Sequence, residues 1–341
     1  MQRKVYKHTS PFVLESNATL DSIEICYHQS GTYSPDKRVI WICHALTANS
    51  NPQEWWSGLV GPGKLFDPEK YHIICANMLG SCYGSTGPAS KGVNGKPHLL
   101  EFPDVTVRDT VAAHNLLREH LGIEQIELII GGSIGGFQAL EWSIMYSKVV
   151  KNLVLIGCNA AVSPWGAAFN ESQRMALLAD PSFREQRDIN GGKAGLETAR
   201  SIALLSYRSY EGYGKSQGED NNNFIFASKA CSYQRHQGEK LSKRFDAYSY
   251  YTLTKSVDSH NVARGRGSIE RALLSVEAST LVIGIDTDNL FPLEEQIFLS
   301  RKIKGARLAI IKSLYGHDGF LLEWEQTESI IRNNFQLFNN N

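Results

Sequence analysis

The chain has 341 residues with 35 Lys+Arg against 35 Asp+Glu, so its formal charge is zero; 42% of it is hydrophobic and 21% charged. That length can bury a large core, and the balance excludes a disordered or fibrous chain. It also argues against dependence on nucleic acid or an anionic membrane, since either partner ordinarily draws a basic excess.

The N-terminal MQRKVYKHTSPFVLESNATL has basic residues with no apolar run behind them, so no secretory signal is expected. No stretch approaches the roughly 18–20 uninterrupted apolar residues of a membrane helix. The six cysteines, at 26, 43, 75, 82, 158 and 231, form no CxxC pair, and several lie in apolar runs. They read as small buried hydrophobes in a reducing cytoplasm, without disulfide framework or zinc cluster. Strands are expected at Arg38–Cys43, Tyr71–Ala76, Ile126–Ile130, Asn152–Ile156, Thr280–Ile285 and Arg307–Lys312. These are nearly continuous apolar runs, as in parallel strands covered on both faces.

Between the second and third strands, TVRDTVAAHNLLREHLG carries apolar clusters about once per turn, and Gly122 supplies a stop. The alternation predicts a doubly wound, mostly parallel α/β sheet with right-handed crossovers. It breaks from about Asn159 to Leu274, where ESQRMALLAD, GLETARSIALLSY, NFIFASKACSYQRHQGEKL and SYYTLTKSV read as helices and EGYGKSQGEDNNN as an exposed loop. The expected organisation is an α/β core over residues 1–159 and 275–341, interrupted by a helical lid at 160–274. That segment is too long for a bare loop and is expected to cap the carboxyl edge of the sheet.

Gly131-Gly132-Ser133-Ile134-Gly135 fits G-x-S-x-G between an expected strand and a helix-compatible run. This strand–turn–helix setting is that of a nucleophile elbow, in which glycines allow the sharp turn and the helix N-terminus favours developing negative charge. A serine needs a base to take its proton and an acid to orient the base, expected in the chain order Ser, acid, His. His317, in the glycine-bracketed loop LYGHDGFL just past a strand, suits the base best of the ten histidines. His44 precedes the serine and suits an oxyanion loop; His72, His114 and His120 read as satisfied or solvated histidines. For the acid, GIDTDNLFP offers Asp286 and Asp288, which spacing alone does not separate. The oxyanion hole needs two backbone N–H groups, expected from Ile134 and from Leu46 in CHALTANS.

Two weaker patterns carry no function. Gly58–Lys64 meets G-x-x-x-x-G-K, but Leu65 replaces the Ser/Thr, no strand precedes it, and Pro62 removes an amide. ARGRG at 263–267 is too short for nucleic-acid binding. No ligand spacing for a catalytic metal exists.

Nine blocks in order carry a resemblance: CHALTANS with WW after it, GPGKLFD, ANMLGSCYGSTGP, FPDVTVRDTV, GGSIGGFQALEW, SKRFDAYSYYTLT, HNVARGRG, DTDNLFP and YGHDGF. The chain resembles the homoserine O-acetyltransferase family (MetX type) of the α/β-hydrolase fold over most of its length. The resemblance implies Ser133 as nucleophile, His317 as base and Asp288, rather than Asp286, as acid. It further implies Arg200 and Asp318 as substrate-binding residues, a pair suited to an α-carboxylate and an α-ammonium. It implies ping-pong acetyl transfer from acetyl-CoA, a co-substrate with no resident cofactor, to L-homoserine in methionine biosynthesis, by a homodimer formed through the lid. Ala48 stands where the family usually has glycine, and Ile134 where methionine is common. Succinyl-CoA as donor, serine as acceptor, or water as acceptor in an esterase or thioesterase remain open at this level.

Overall fold

The computed structural model describes residues 1–92 and 94–338. In chain order the strands are β1 (Gln2–His8), β2 (Phe12–Val13), β3 (Thr19–Leu20), β4 (Ile23–Gln29), β5 (Val39–Cys43), β6 (His72–Ala76), β7 (Leu128–Gly132), β8 (Asn152–Ile156), β9 (Ser279–Ile285) and β10 (Arg307–Ile311). Eight of them form one sheet in the order β1-β4-β6-β5-β7-β8-β9-β10, and β2 pairs separately with β3. From β6 to β10 every neighbour is parallel; β1 and β4 add an antiparallel edge.

The six runs expected from sequence coincide with β5 to β10, shifted by up to two residues. Their continuous hydrophobicity has the expected cause. On β5, Val39, Trp41 and Cys43 enter the core on one face, while Ile40 and Ile42 enter the core on the other. The antiparallel edge was not expected: β1 is largely exposed, and β4 mixes Glu24, His28 and Gln29 among its apolar residues.

The helices are α1 (Pro52–Trp55), α2 (Val107–His120), α3 (Ile134–Met145), α4 (Pro164–Ala179), α5 (Pro181–Glu185), α6 (Lys193–Tyr207), α7 (Tyr210–Gln217), α8 (Ser228–Ser242), α9 (Ala247–Asp258), α10 (Ile269–Leu274), α11 (Leu293–Lys302), α12 (Gly319–Leu322) and α13 (Trp324–Asn334). The start of α2 is a capping box: Asp109 N–H donates to Thr106 Oγ1 at 3.1 Å, and Thr106 N–H to Asp109 Oδ2 at 2.8 Å. Helices α2 and α3 cover one sheet face, and Ile331 of α13 packs on the other. No helix among the described residues is long and apolar enough to cross a membrane.

Helices α4 to α10 all lie between β8 and β9. Buried α9 is tied to α4 and α5: Tyr250 OH donates to Gln173 Oε1 of α4 at 2.6 Å, and Tyr248 OH to the Phe183 carbonyl of α5 at 3.0 Å. The expected loop EGYGKSQGEDNNN is corrected in its first half. Tyr210–Gln217 is helix α7, capped by Ser209 Oγ accepting from Gly212 N–H at 3.0 Å. The G-x-x-x-x-G-K segment packs against α13, with Lys64 Nζ 5.5 Å from the Trp324 ring centre. ARGRG is also structural: Arg264 pairs with Glu15, and Arg266 with the buried Glu141.

Candidate active site

Ser133 stands between β7 and α3 with φ 58° and ψ −131°, a strained conformation for a side-chain-bearing residue. Two close approaches impose it. A Cβ on Gly131 would come within 2.1 Å of the Gly135 carbonyl oxygen, and one on Gly135 within 2.3 Å of that of Cys43. The glycines flanking the serine are therefore required by backbone contact. Ile134 begins α3, in the turn whose amides have no intrahelical acceptor.

His317, in the loop after β10, is buried. Its Nδ1–H donates to Asp288 Oδ2 at 2.7 Å, and its buried Nε2 has no hydrogen-bond partner among the described residues. Burial alone would depress this imidazole, but the Asp288 carboxylate, by charge and hydrogen bond, and then Asp318, hold it above its ordinary value. Asp288 Oδ1 is fixed by the amides of Leu290 and Phe291, both at 2.9 Å. Room for the pair comes from Gly157 after β8, at φ +50°, where a Cβ would meet Asp288 Oδ2 at 3.3 Å and His317 Nδ1 at 3.5 Å. Asp286 points elsewhere. Its Oδ1 accepts from Ser313 N–H at 3.0 Å, and neighbouring Thr287 donates to the Ser313 carbonyl at 2.6 Å, so this pair of residues clips the β9 loop to the β10 loop.

Ser133, His317 and Leu46 line one cavity of about 280 Å³ together with Arg200, Asp318, Tyr83 and Arg244. His44 anchors the loop that carries Leu46. Its Nε2 accepts from Met78 N–H at 3.1 Å, so Nδ1 carries the proton and donates to the Ala45 carbonyl at 2.9 Å. Burial keeps it neutral, with its pKa pushed down to about 4. Ala48 is not among the positive-φ residues, so the glycine common at that position is not needed by the backbone here.

Arg200 of α6 lies over the Tyr207 ring at 5.4 Å, and no carboxylate among the described residues pairs with it. Asp318 is not free: its Oδ2 meets Arg208 Nη2 at 3.2 Å. Sequence reasoning assigned nothing to Arg208, and SYRSY carries no pattern that would have marked it. It also assigned nothing to Arg244, although that residue lies in one of the recognised blocks; its Nη1 donates to Tyr83 OH and to the Thr47 carbonyl, both at 2.6 Å.

A serine on a strained elbow beside a carboxylate-oriented histidine, at the carboxyl edge of a doubly wound sheet, defines an enzyme of the α/β-hydrolase class, and residues 38–323 match the alpha/beta hydrolase fold family. Homoserine O-acetyltransferase of Cyclobacterium marinum is 43% identical over 343 residues, spanning 100% of this chain and 97% of that relative. The crystal structure of homoserine O-acetyltransferase from Bacillus anthracis has a TM-score of 0.90 at 22% identity, covering 99% of this chain and 98% of that one. The acetyl esterase MekB has a TM-score of 0.86 at 24% identity, covering 100% and 97%; likenesses at these identities speak for the fold alone. The chain belongs to the homoserine O-acetyltransferase family, acyltransferases built on this fold.

Proposed function

We propose that the protein moves the acetyl group of acetyl-CoA to the hydroxyl of L-homoserine, giving O-acetyl-L-homoserine and CoA for methionine biosynthesis. Ser133 Oγ attacks the thioester carbonyl while His317 Nε2 takes its proton, and Asp288 holds the imidazole tautomer. The amides of Leu46 and Ile134 receive the oxyanion. The C–S bond breaks, and the imidazolium returns its proton to the departing thiolate. Homoserine then enters, its carboxylate on the unpaired Arg200 guanidinium and its ammonium on Asp318, shared with Arg208. His317 deprotonates the homoserine hydroxyl, which takes the acetyl group and frees Ser133. Water competes at this step, so an occluded cavity favours transfer over hydrolysis.

The observation that carries this reading is the Asp288–His317 pair at 2.7 Å, its Nε2 unpartnered, in one cavity with Ser133 and Arg200. The relative's name supports the acyl group and acceptor. Six free cysteines suit a reducing cytoplasm. Exposed Trp165 and Met175 on α4 suit a homodimer through the helical segment.

The test is product analysis with acetyl-CoA and succinyl-CoA against homoserine and serine, following CoA and the O-acyl product. Homoserine-dependent O-acetylhomoserine formation, abolished in Ser133→Ala, is expected. Rapid CoA release without any amino acid would instead identify a hydrolase.

A further inference from the structure

A second, enclosed cavity of about 30 Å³ meets the main one at Ser133 and shares Leu46 and Tyr207 with it. His317, Arg200 and Asp318 line the larger cavity and not the smaller. This division orients the reacting carbon, given the acyl-serine chemistry proposed above. Besides Ser133 Oγ, that carbon carries an oxyanion, an acyl chain and the leaving or attacking group. The oxyanion must face the Leu46 and Ile134 amides. The leaving or attacking group must lie against His317 to exchange a proton, which puts it in the larger cavity. The direction left for the acyl chain is the small cavity.

The small cavity's walls decide which chains fit. A space of about 30 Å³ holds little more than one water-sized group. Val162, Phe169, Val257 and Leu290 supply apolar wall, and no described residue lining it is charged. Three of its polar side chains are already engaged. Asn170 Nδ2 donates to Asp258 Oδ1 at 2.7 Å, Gln173 Nε2 to the Phe169 carbonyl at 3.0 Å, and Ser206 Oγ to the Ala203 carbonyl at 2.7 Å. Arg174 does not line the cavity; its Nη2 is bound by Glu171 and Asp258, both at 2.7 Å, and its buried Nη1 has no partner among the described residues. A chain ending in a carboxylate would be buried there without a cation. Phe169, half-buried and packed edge-on against Trp165 at 4.9 Å, closes the side formed by α4.

We propose that this cavity is the acyl pocket: it takes the acetyl methyl and rejects longer and carboxylate-ended acyl groups, with Phe169 setting its depth. The test is single-turnover acylation of Ser133 by acetyl-, propionyl-, butyryl- and succinyl-CoA, and separately by p-nitrophenyl esters of acetate, propionate and butyrate. In the wild type each added methylene lowers the rate by about 10–200-fold, and succinyl-CoA is slower still. Phe169→Ala raises the propionyl-to-acetyl ratio by about tenfold or more. Val257→Ala, altering the wall contributed by α9, gives the same direction if the first variant does not fold. Wild-type acylation by butyryl or succinyl groups as fast as by acetyl overturns the pocket, as does an unchanged ratio in both folded variants. A chain-length limit seen with the esters while no acyl-CoA reacts keeps the pocket and removes the CoA donor. Reaction with every acyl-CoA alike does the reverse.

Discussion

Replacing Asp288 by asparagine removes a charge without changing shape, and its hydrogen bonds dictate how the variant fails. Oδ1 accepts from the amides of Leu290 and Phe291 at 2.9 Å, and Oδ2 from His317 Nδ1 at 2.7 Å. An asparagine keeps its carbonyl oxygen under the two backbone amides, because its NH₂ there would set donor against donor. The NH₂ then faces His317 Nδ1, which can meet it only as an acceptor. The imidazole proton moves to Nε2, the nitrogen that takes the serine proton in the proposed mechanism. In a triad with this fault kcat falls by about 10⁴, or about 5 kcal/mol of barrier. Stopped-flow release of CoA on mixing with acetyl-CoA reads the acylation step directly. Asp286→Asn is the control: its Oδ1 still accepts from Ser313 N–H, so the rate is retained. A folded Asp288→Asn variant within about tenfold of wild type, or an equal loss in the control, refutes the assignment.

The raised His317 value predicts a pH profile. In the proposed mechanism His317 is a base that must be neutral, so acylation falls as pH drops through a value above the ordinary imidazole one of about 6.5. A limb at or below 6.5 in the wild type would contradict it, and Asp288→Asn should move the limb down. For stability the sign is opposite: the charged His317–Asp288 pair stabilises fully below about 6.5 and loses that contribution as pH rises through the folded value. His44, His114 and His260 behave the other way, burial pushing each down to about 4. Their contribution is complete above about 6.5 and declines toward pH 4, by at most about 3 kcal/mol each, so urea midpoints that stay constant from pH 6.5 to 4.5 would refute it. Buried Glu141 is bound by Arg108 Nε at 3.1 Å and Arg266 Nη2 at 2.7 Å. Glu141→Ala leaves Arg266 without a carboxylate and Arg108 with Glu15 alone, and costs about 3–5 kcal/mol; a urea-unfolding loss below about 1 kcal/mol would show the network to be unimportant.

The parallel half of the sheet was legible because strands covered on both faces leave continuous apolar runs. The edge was not, since β1 (QRKVYKH) is exposed along most of its length and owes its place to pairing with β4. Helix α7 carries Gly212 and Gly214 and buries no residue, so its sequence looks like a loop; a Ser209 cap holds its start. In the site, glycine spacing marks the elbow because backbone contact demands it. Asp286 and Asp288 could not be separated by spacing, because what distinguishes them is which way each carboxylate turns. Arg208 was invisible because its meaning is a tertiary contact with Asp318.

That contact also bears on how the helical segment relates to the site. Helix α6 carries Arg200 and ends at Tyr207, whose ring centre is 5.8 Å from that of His317. Arg208 meets Asp318 at 3.2 Å, and Ser209 Oγ donates to the Leu314 carbonyl, so three consecutive residues register the end of α6 against the loop bearing the base. On another wall of the cavity, Arg244 joins the helical segment to Thr47 and Tyr83. Moving the end of α6 away from the loop bearing His317 would break an ion pair and a hydrogen bond together. Helix α6, which carries Arg200, is therefore held against the loop bearing the His317 imidazole before substrate arrives. In the proposed reaction such preorganisation would lower the entropy cost of bringing a homoserine hydroxyl to an acyl-serine.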